Sequence, residues 1–368
     1  MRQFSAHAIA PFVLLLLGCQ ATEAEQRSTA NRVEAVDEGS LAARIGEAAR
    51  SASGAVWITY EVPVNDTKAF LCCFDSFDVA RKNGWRNAGC TLEESSSFIS
   101  SDGSGEWSAP AVERTDVVIH LRAENGLIRE ARSFSKGCRI DAGGVAIERL
   151  GPADPEESVR FLSRLVDQID AGRPCRARSN DEEAQSVITA IAMHRAKNMI
   201  AALTSIVTSD RDEEIRGHAA FWLGAKGGSE GREVLTRLID SAISSELREE
   251  AIAGIAQDES DAAAELLLQL ARGHEVASVR EHALFWLAEK AGEKAASELE
   301  QATDDPDEDV REMAVFSISR LPPDKSVPML IDLAKSHKSS GVREQSLFWL
   351  GQSGDPRALD FIEEILMR

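Results

Sequence analysis

The residues of this chain best suited to chemistry are its six cysteines. Cys72 and Cys73 are adjacent, Cys90 follows, and Cys138 and Cys175 stand further on; Cys19 lies apart near the N-terminus. Two chemistries suit such a set. In an oxidising compartment the thiols cross-link. Cys72 and Cys73 are poor partners for each other, because the small ring that bond would close is strained. The expected pairing joins one of them to Cys90 and the other to Cys138 or Cys175, leaving one thiol over. In the second chemistry Cys72, Cys73 and Cys90 are thiolate ligands of a metal. Their spacing fits no Cys-x-x-Cys zinc pattern, which favours disulfides, and no metal or other cofactor is expected. The seven histidines are scattered, and none falls in a His-Glu-x-x-His spacing. The glycine-rich stretch Gly224 to Gly231 lacks the Gly-Lys-Ser/Thr ending of a phosphate loop. No catalytic residue emerges, and the chain is not expected to be an enzyme.

Which cysteine chemistry applies depends on the compartment. Arg2 precedes an apolar run from Ala8 to Leu17 that is too short to span a bilayer and suits a signal peptide. The run ends in Leu16-Leu17-Gly18-Cys19. This end resembles the lipobox of bacterial lipoproteins. The resemblance implies that Cys19 is lipidated and becomes the new N-terminus, with residues 1–19 as leader and lipobox. Gln20 after the cysteine implies an outer-membrane lipoprotein facing the periplasm. The alternative is an ordinary secretory leader cleaved near Ala24, which gives a soluble periplasmic or secreted chain. Residues 20–50 are polar and rich in Ala and Glu, a tether with a short helix over Leu41 to Ala49.

Charge narrows the partners. The formal net charge is −20. An excess of carboxylates repels phosphates, so nucleic acid is excluded, and so is an anionic membrane face. Contact with a membrane is expected only through the lipid. An acidic surface serves solubility or a basic partner.

Residues 51–150 read as a small β-rich domain. "AVWITYEV" alternates Val56, Ile58, Tyr60 and Val62 on one face, the period of a half-buried strand. Asn125-Gly126 between two apolar segments is a hairpin signal. "GGVAIERL" adds a strand, and the cysteines Cys72, Cys73 and Cys90 fall in a long insertion between about Asn65 and Pro110. Residues 151–180 supply a connecting helix, with Asp154 as N-cap and Pro155 at the first helical position, and then a linker.

Residues 181–368 repeat. Arg216, Arg248, Arg280, Arg311 and Arg343 recur in steps of 32, 32, 31 and 32. Three residues after each Arg stands a small residue, and seven after it Leu or Ile: Leu223, Ile255, Leu287, Ile318 and Leu350. A turn and a second apolar-periodic stretch such as "AAELLLQLA" or "VPMLIDLA" complete each unit. A unit is therefore two antiparallel helices. "DDPDEDVREMAVFSISRLPPDKSVPMLIDLA" resembles the HEAT repeats, in the short bacterial form also found in phycobilisome lyases. The fold class expected is α+β multidomain: the β-rich domain, then an all-α HEAT-like α-solenoid of about six helix pairs.

On a helical wheel the residue before each Arg and the positions at +3 and +7 face the partner helix. Position +6, with Trp222, Trp286 and Trp349, lies at the flank of that face, and these indoles are expected in the interior, each over a small residue of the adjacent repeat. Position +5, with Phe221, Phe285, Phe316 and Phe348, points nearly opposite the core. Those four are the candidate interaction ridge, unless the N-terminal domain, a second chain or a rotated helix covers them. His218 and His282 occupy equivalent outward positions. The repeated Arg is expected to pair with acids of the inter-repeat turns, from Asp212, Glu214, Asp307 and Asp309. The HEAT resemblance implies protein binding; with the leader, the expected function is a non-enzymatic interaction scaffold of the cell envelope that binds a protein partner through the solenoid and the β domain, self-association included. The alternative is an accessory or lyase-like protein that holds a small ligand or chromophore through its Cys-containing domain.

The anchor is directly testable. Labelled palmitate should enter the protein, and Cys19→Ala should abolish labelling and release the chain to the soluble fraction. Membrane association that survives the substitution would refute the anchor.

Overall fold

The computed structural model describes residues 39–64, 89–93, 116–171, 179–241 and 244–367. Cys19, Cys72, Cys73 and Cys175 lie outside them, as do the leader and most of the Asn65–Pro110 insertion. The chain divides into two compact units, one of Met1–Val62 and Thr67–Ala184, the other of Pro63–Asp66 and Gln185–Arg368. The first is α+β and the second, among the described residues, is built of helices.

In the first unit four strands form a sheet in the order β4-β3-β1-β6: β1 (Val56–Pro63), β3 (Asp116–Glu124), β4 (Leu127–Ser135) and β6 (Ala146–Pro152). β3 and β4 are the expected hairpin, turned by Asn125 (φ 53°) and Gly126 (φ 78°), the left-handed pair a two-residue turn requires. β6 runs parallel to β1. The short strands β2 (Gly89–Thr91) and β5 (Arg139–Asp141) pair separately, also in parallel.

The strand β1 differs from its expected half-burial. Val56 to Tyr60 are all buried, because both faces of the sheet are covered. On one face lie two helices, α1 (Leu41–Ser51) and α2 (Pro155–Ala171). Tyr60 Oη sits 2.9 Å from Ser158 Oγ, and the Leu41 amide donates to Glu157 at 3.1 Å. Burial of Leu41, Ile45, Val159, Leu162 and Val166 makes both helices parts of this unit rather than a tether and a connector. On the other face Trp57 packs with Cys90, Leu92 and Phe134, and Cys138 rests against them. Cys90 and Cys138 are both disulfide-bonded. The Trp57 indole donates to Glu93 at 2.7 Å, and Glu93 also takes Arg122.

The second unit is a succession of helix pairs: α3 (Ser179–Met193) with α4 (Met199–Val207), the two halves of α5 (Glu213–Asp240), α6 (Ser245–Gln257) with α7 (Asp261–Gly273), α8 (Ala277–Ala291) with α9 (Ala296–Ala302), α10 (Glu308–Ser319) with α11 (Pro323–Ser336), and α12 (Ser340–Ser353) with α13 (Pro356–Leu366). Gly228, at φ 54° and ψ −135°, divides α5. Six pairs match the number read from the sequence. Asp212, Ser244, Asp307 and Ser339 cap the first helices of their pairs by accepting backbone N–H groups.

The first helices of successive pairs lie side by side, and α5 and α6 come close at Gly224 and Gly254. A Cβ on Gly224 would run into the Gly254 carbonyl, and one on Gly254 would meet the Ala220 carbonyl at 2.6 Å. Gly351 holds the same repeat position as Gly224, eight residues after its Arg, yet nothing lies within 4 Å of its added Cβ.

Gly224→Ala and Gly351→Ala should therefore have opposite signs. The first forces two backbones apart and should destabilise by about 1–3 kcal/mol. The second removes a flexible residue from a helix interior and should stabilise by about 0.5–1 kcal/mol. Urea unfolding of the two variants checks this, and a shared sign would refute the packing.

Candidate functional site: an aromatic ridge on the helical repeats

Each first helix buries more than the face turned to its own partner. Besides the +3 and +7 residues, the +4 residues Ala220, Ile252, Leu284 and Val315 are buried. On the wheel +4 lies on the side away from +6, towards a neighbouring first helix. This position is apolar in every repeat, from Ala220 to Leu347, a signal present in the sequence.

With flanks filled in this way, the +5 and +6 side chains lie along one strip. Phe285 stacks on Phe316, centroids 6.3 Å apart and planes 6° from parallel. Phe316 meets Trp349 at 5.1 Å, and Trp349 meets Phe348 edge-on at 5.0 Å. Trp286 stands edge-on to Phe285 at 5.1 Å. Five rings from α8, α10 and α12 thus form one ladder. Such pairs are each worth about 0.5–1.5 kcal/mol beyond burial. Ala253 and Gly254 take the ring positions on α6, so Phe221 and Trp222 of α5, 5.4 Å apart, form a separate pair.

The expected division of labour between Trp and Phe is corrected. Trp222, Trp286 and Trp349 are not interior; all three are half-buried, as are Phe221, Phe285 and Phe316. Position +6 lies at the flank of the buried face, and neighbouring rings cover both the +5 and +6 side chains in part. Phe348 is 54% exposed and is the most open ring of the ladder.

His218 is corrected too. It turns to Trp222 rather than outwards. The Trp222 indole donates to His218 Nε2 at 3.1 Å, and Thr189 Oγ1 lies 2.9 Å from the same nitrogen. Burial pushes the imidazole down to about 4, against a smaller opposing effect of the Gln185 backbone. His282 bonds the Ser278 carbonyl at 2.8 Å and faces Glu249 at 3.5 Å.

The repeated arginines serve the turns, mostly through carbonyls. Arg216 donates to Val207, Arg248 to Ile239 and Ser241, Arg311 to Asp305 and Pro306, and Arg343 to His337 and Lys338. Arg280 reaches the His274 carbonyl at 2.8 Å and grips Asp305 through two bonds of 2.8 Å. Among the described residues the carboxylate that pairs with one of these arginines is Asp305, on Arg280, rather than one of the expected Asp212, Glu214, Asp307 and Asp309. Asp212 and Asp307 cap their own helices instead, and helix-end carbonyls need donors.

The first unit offers a second candidate, a cavity of about 370 Å³ lined by Thr59, Glu61, His120, Lys136, Cys138 and Arg149 among others. Lys136 is engaged by Glu61 at 2.9 Å and Asp116 at 3.5 Å. Burial holds His120 neutral, at about 4. Among the described residues no group of His, Cys, Asp and Glu suits a metal ion.

Residues 200–288, 263–336 and 296–368 match the family model of HEAT repeats. Among solved structures, human deoxyhypusine hydroxylase is 14% identical, over 56% of this chain and 90% of its own, with a TM-score of 0.28. The CpcE–CpcF complex of phycocyanin lyase from Nostoc sp. PCC7120 is 16% identical, over 57% and 80%, at 0.30. A designed armadillo repeat protein in complex with the peptide (KR)4 is 18% identical, over 55% and 100%, at 0.31. No curated protein sequence matches the chain.

Burial of His218 makes the second unit acid-sensitive. An imidazole held at about 4 against an ordinary 6.5 refuses a proton that the unfolded chain accepts. Its contribution is present above pH 6.5 and is lost as pH falls from there towards 4. His194, also buried and held at about 4, adds to the effect. The melting temperature should fall between pH 7 and pH 4.5, and His218→Gln should fall less over that range. An equal fall in both proteins would refute the assignment.

Proposed function

We propose that this chain is a non-enzymatic scaffold of the bacterial cell envelope, lipid-anchored through Cys19, which binds a protein partner on its aromatic ridge. The observation that supports this reading most is the ladder Trp286–Phe285–Phe316–Trp349–Phe348, a contiguous row of aromatic side chains left partly open on a regular helical scaffold. Aromatic rings lose little side-chain entropy when they dock, and such residues dominate the energetics of protein interfaces. The HEAT repeats support the same class of function.

The cavity beside Cys138 supports a second reading, an accessory or lyase-like protein that holds a small ligand or chromophore in the first unit. Its size lies within the range of small-molecule sites, about 300–1,000 Å³.

Capture from envelope extracts, followed by mass spectrometry, separates the two. The mature protein should retain a stoichiometric protein, and Phe348→Ala should lose most of it with little change in melting temperature, because that ring is exposed. Truncating such an anchor typically costs about 2 kcal/mol or more of binding. Retention of the same partner by Phe348→Ala, Phe316→Ala and Trp349→Ala would overturn the ridge. A co-purifying small molecule without a protein would favour the cavity.

A further inference from the structure

The residue after each repeated Arg is Glu249, Glu281, Glu312 or Glu344 in four of the repeats. It stands four residues before the +5 position, and residues four apart are neighbours on a helix surface. Glu281 therefore flanks Phe285, Glu312 flanks Phe316 and Glu344 flanks Phe348. A row of carboxylates runs along one side of the ladder.

These carboxylates are not consumed within the fold. Among the described residues no ion pair engages Glu281, Glu312 or Glu344, whereas Asp305, Glu298 and Glu289 are taken by Arg280, Arg272 and Arg320. Arg320, on the other side of Phe316, is held by Glu289 at 3.1 Å, so that flank is close to neutral. Glu281 titrates above the ordinary carboxylate range. Burial is the main cause; His282 opposes it, and Asp309, Asp307 and Glu249 add to it. A cation brought to this row would relieve repulsion already present.

We propose that the occupant of the ridge is an extended basic segment of a partner protein, with Arg or Lys side chains over the Phe285, Phe316, Trp349 and Phe348 rings and paired to Glu281, Glu312 and Glu344. The inference rests on the ridge reading above and specifies its ligand. Cations are attracted to aromatic faces, and guanidinium also pairs with carboxylates in two-pronged fashion. The spacing fits: Phe285 and Phe316 are 6.3 Å apart, and alternate residues of an extended chain are about 6.6–6.8 Å apart. A segment crossing the first helices with a cation at every second residue meets one ring per step. A second copy of this chain is a poor occupant, since it would bring another acidic row and another −20 charge to the same face.

The test uses the full mature chain and a fluorescein-labelled oligo-arginine peptide, read by fluorescence anisotropy at low and moderate salt. Binding should saturate and weaken with salt. The triple variant Glu281→Gln, Glu312→Gln, Glu344→Gln should weaken it about tenfold or more, with an unchanged melting temperature. Phe316→Ala should weaken it as well. Asp332→Asn, Asp360→Asn and Glu363→Gln remove the same charge from α11 and α13, away from the strip, and should leave binding within about twofold. Equal loss in both triple variants would show attraction by the acidic surface at large and overturn the site. Absence of peptide binding would overturn it too, as would dimerisation of the wild type that Phe348→Ala abolishes. If the envelope partner is still lost with Phe348→Ala while the peptide does not bind, the basic segment falls and the ridge stands; if neither responds to Phe348→Ala, both fall.

Discussion

The second unit depends on the requirement that each first helix be covered on three sides. The partner helix takes the +3 and +7 residues, and the neighbouring first helices take the two flanks. Gly224 facing Gly254 lets α5 and α6 come close, and Ala219, Ala251, Ala283 and Ala314 at +3 are fully buried. A run such as Leu347-Phe348-Trp349-Leu350 is therefore no contradiction in a helix of this kind: three quadrants have uses for apolar residues. The fourth quadrant carries the surplus, and there the side-by-side packing brings rings of successive repeats within stacking distance.

That surplus has two effects at once. Ring-to-ring contact gives the strip some stability of its own, so the rings are partly buried without leaving the surface. The remaining open area, flanked by carboxylates, is ordered before anything binds. An order-bearing surface of this sort spends little entropy on association, and its selectivity comes from charge rather than from reshaping. The gap at Ala253-Gly254 limits the continuous part of the strip to α8, α10 and α12.

Much of the repeat unit was legible because its signals are local. The recurrence of Arg216, Arg248, Arg280, Arg311 and Arg343 set the phase, and helical periodicity then placed the +3 and +7 core. The hairpin at Asn125-Gly126 was equally local. What escaped was set by neighbours not adjacent in sequence. The wheel treats one helix against one partner, so it placed the Trp residues in the core and left +4 unassigned. It could not show that Asp212 would spend its carboxylate on capping. The burial of β1 on both faces was hidden for the same reason: its alternating pattern records one covered face, while α1 and α2 and the Cys90–Leu92 region each supply a cover from distant sequence.

The arginine-to-carbonyl bonds give the array a direction. Arg216, Arg248, Arg280, Arg311 and Arg343 each sit at the start of a pair and donate backwards, to carbonyls at the end of the pair before. A pair therefore closes its own C-terminal boundary only when its successor has formed. Nearest-neighbour coupling in repeat proteins is usually treated as symmetric apolar contact. Here the arginine-to-carbonyl bonds add a polar component whose donor belongs to the later repeat. Melting from the C-terminal side uncovers unsatisfied carbonyls at every step, whereas melting from the N-terminal side frees arginines that water readily solvates. The two ends of the array are thus unequal places for unfolding to begin.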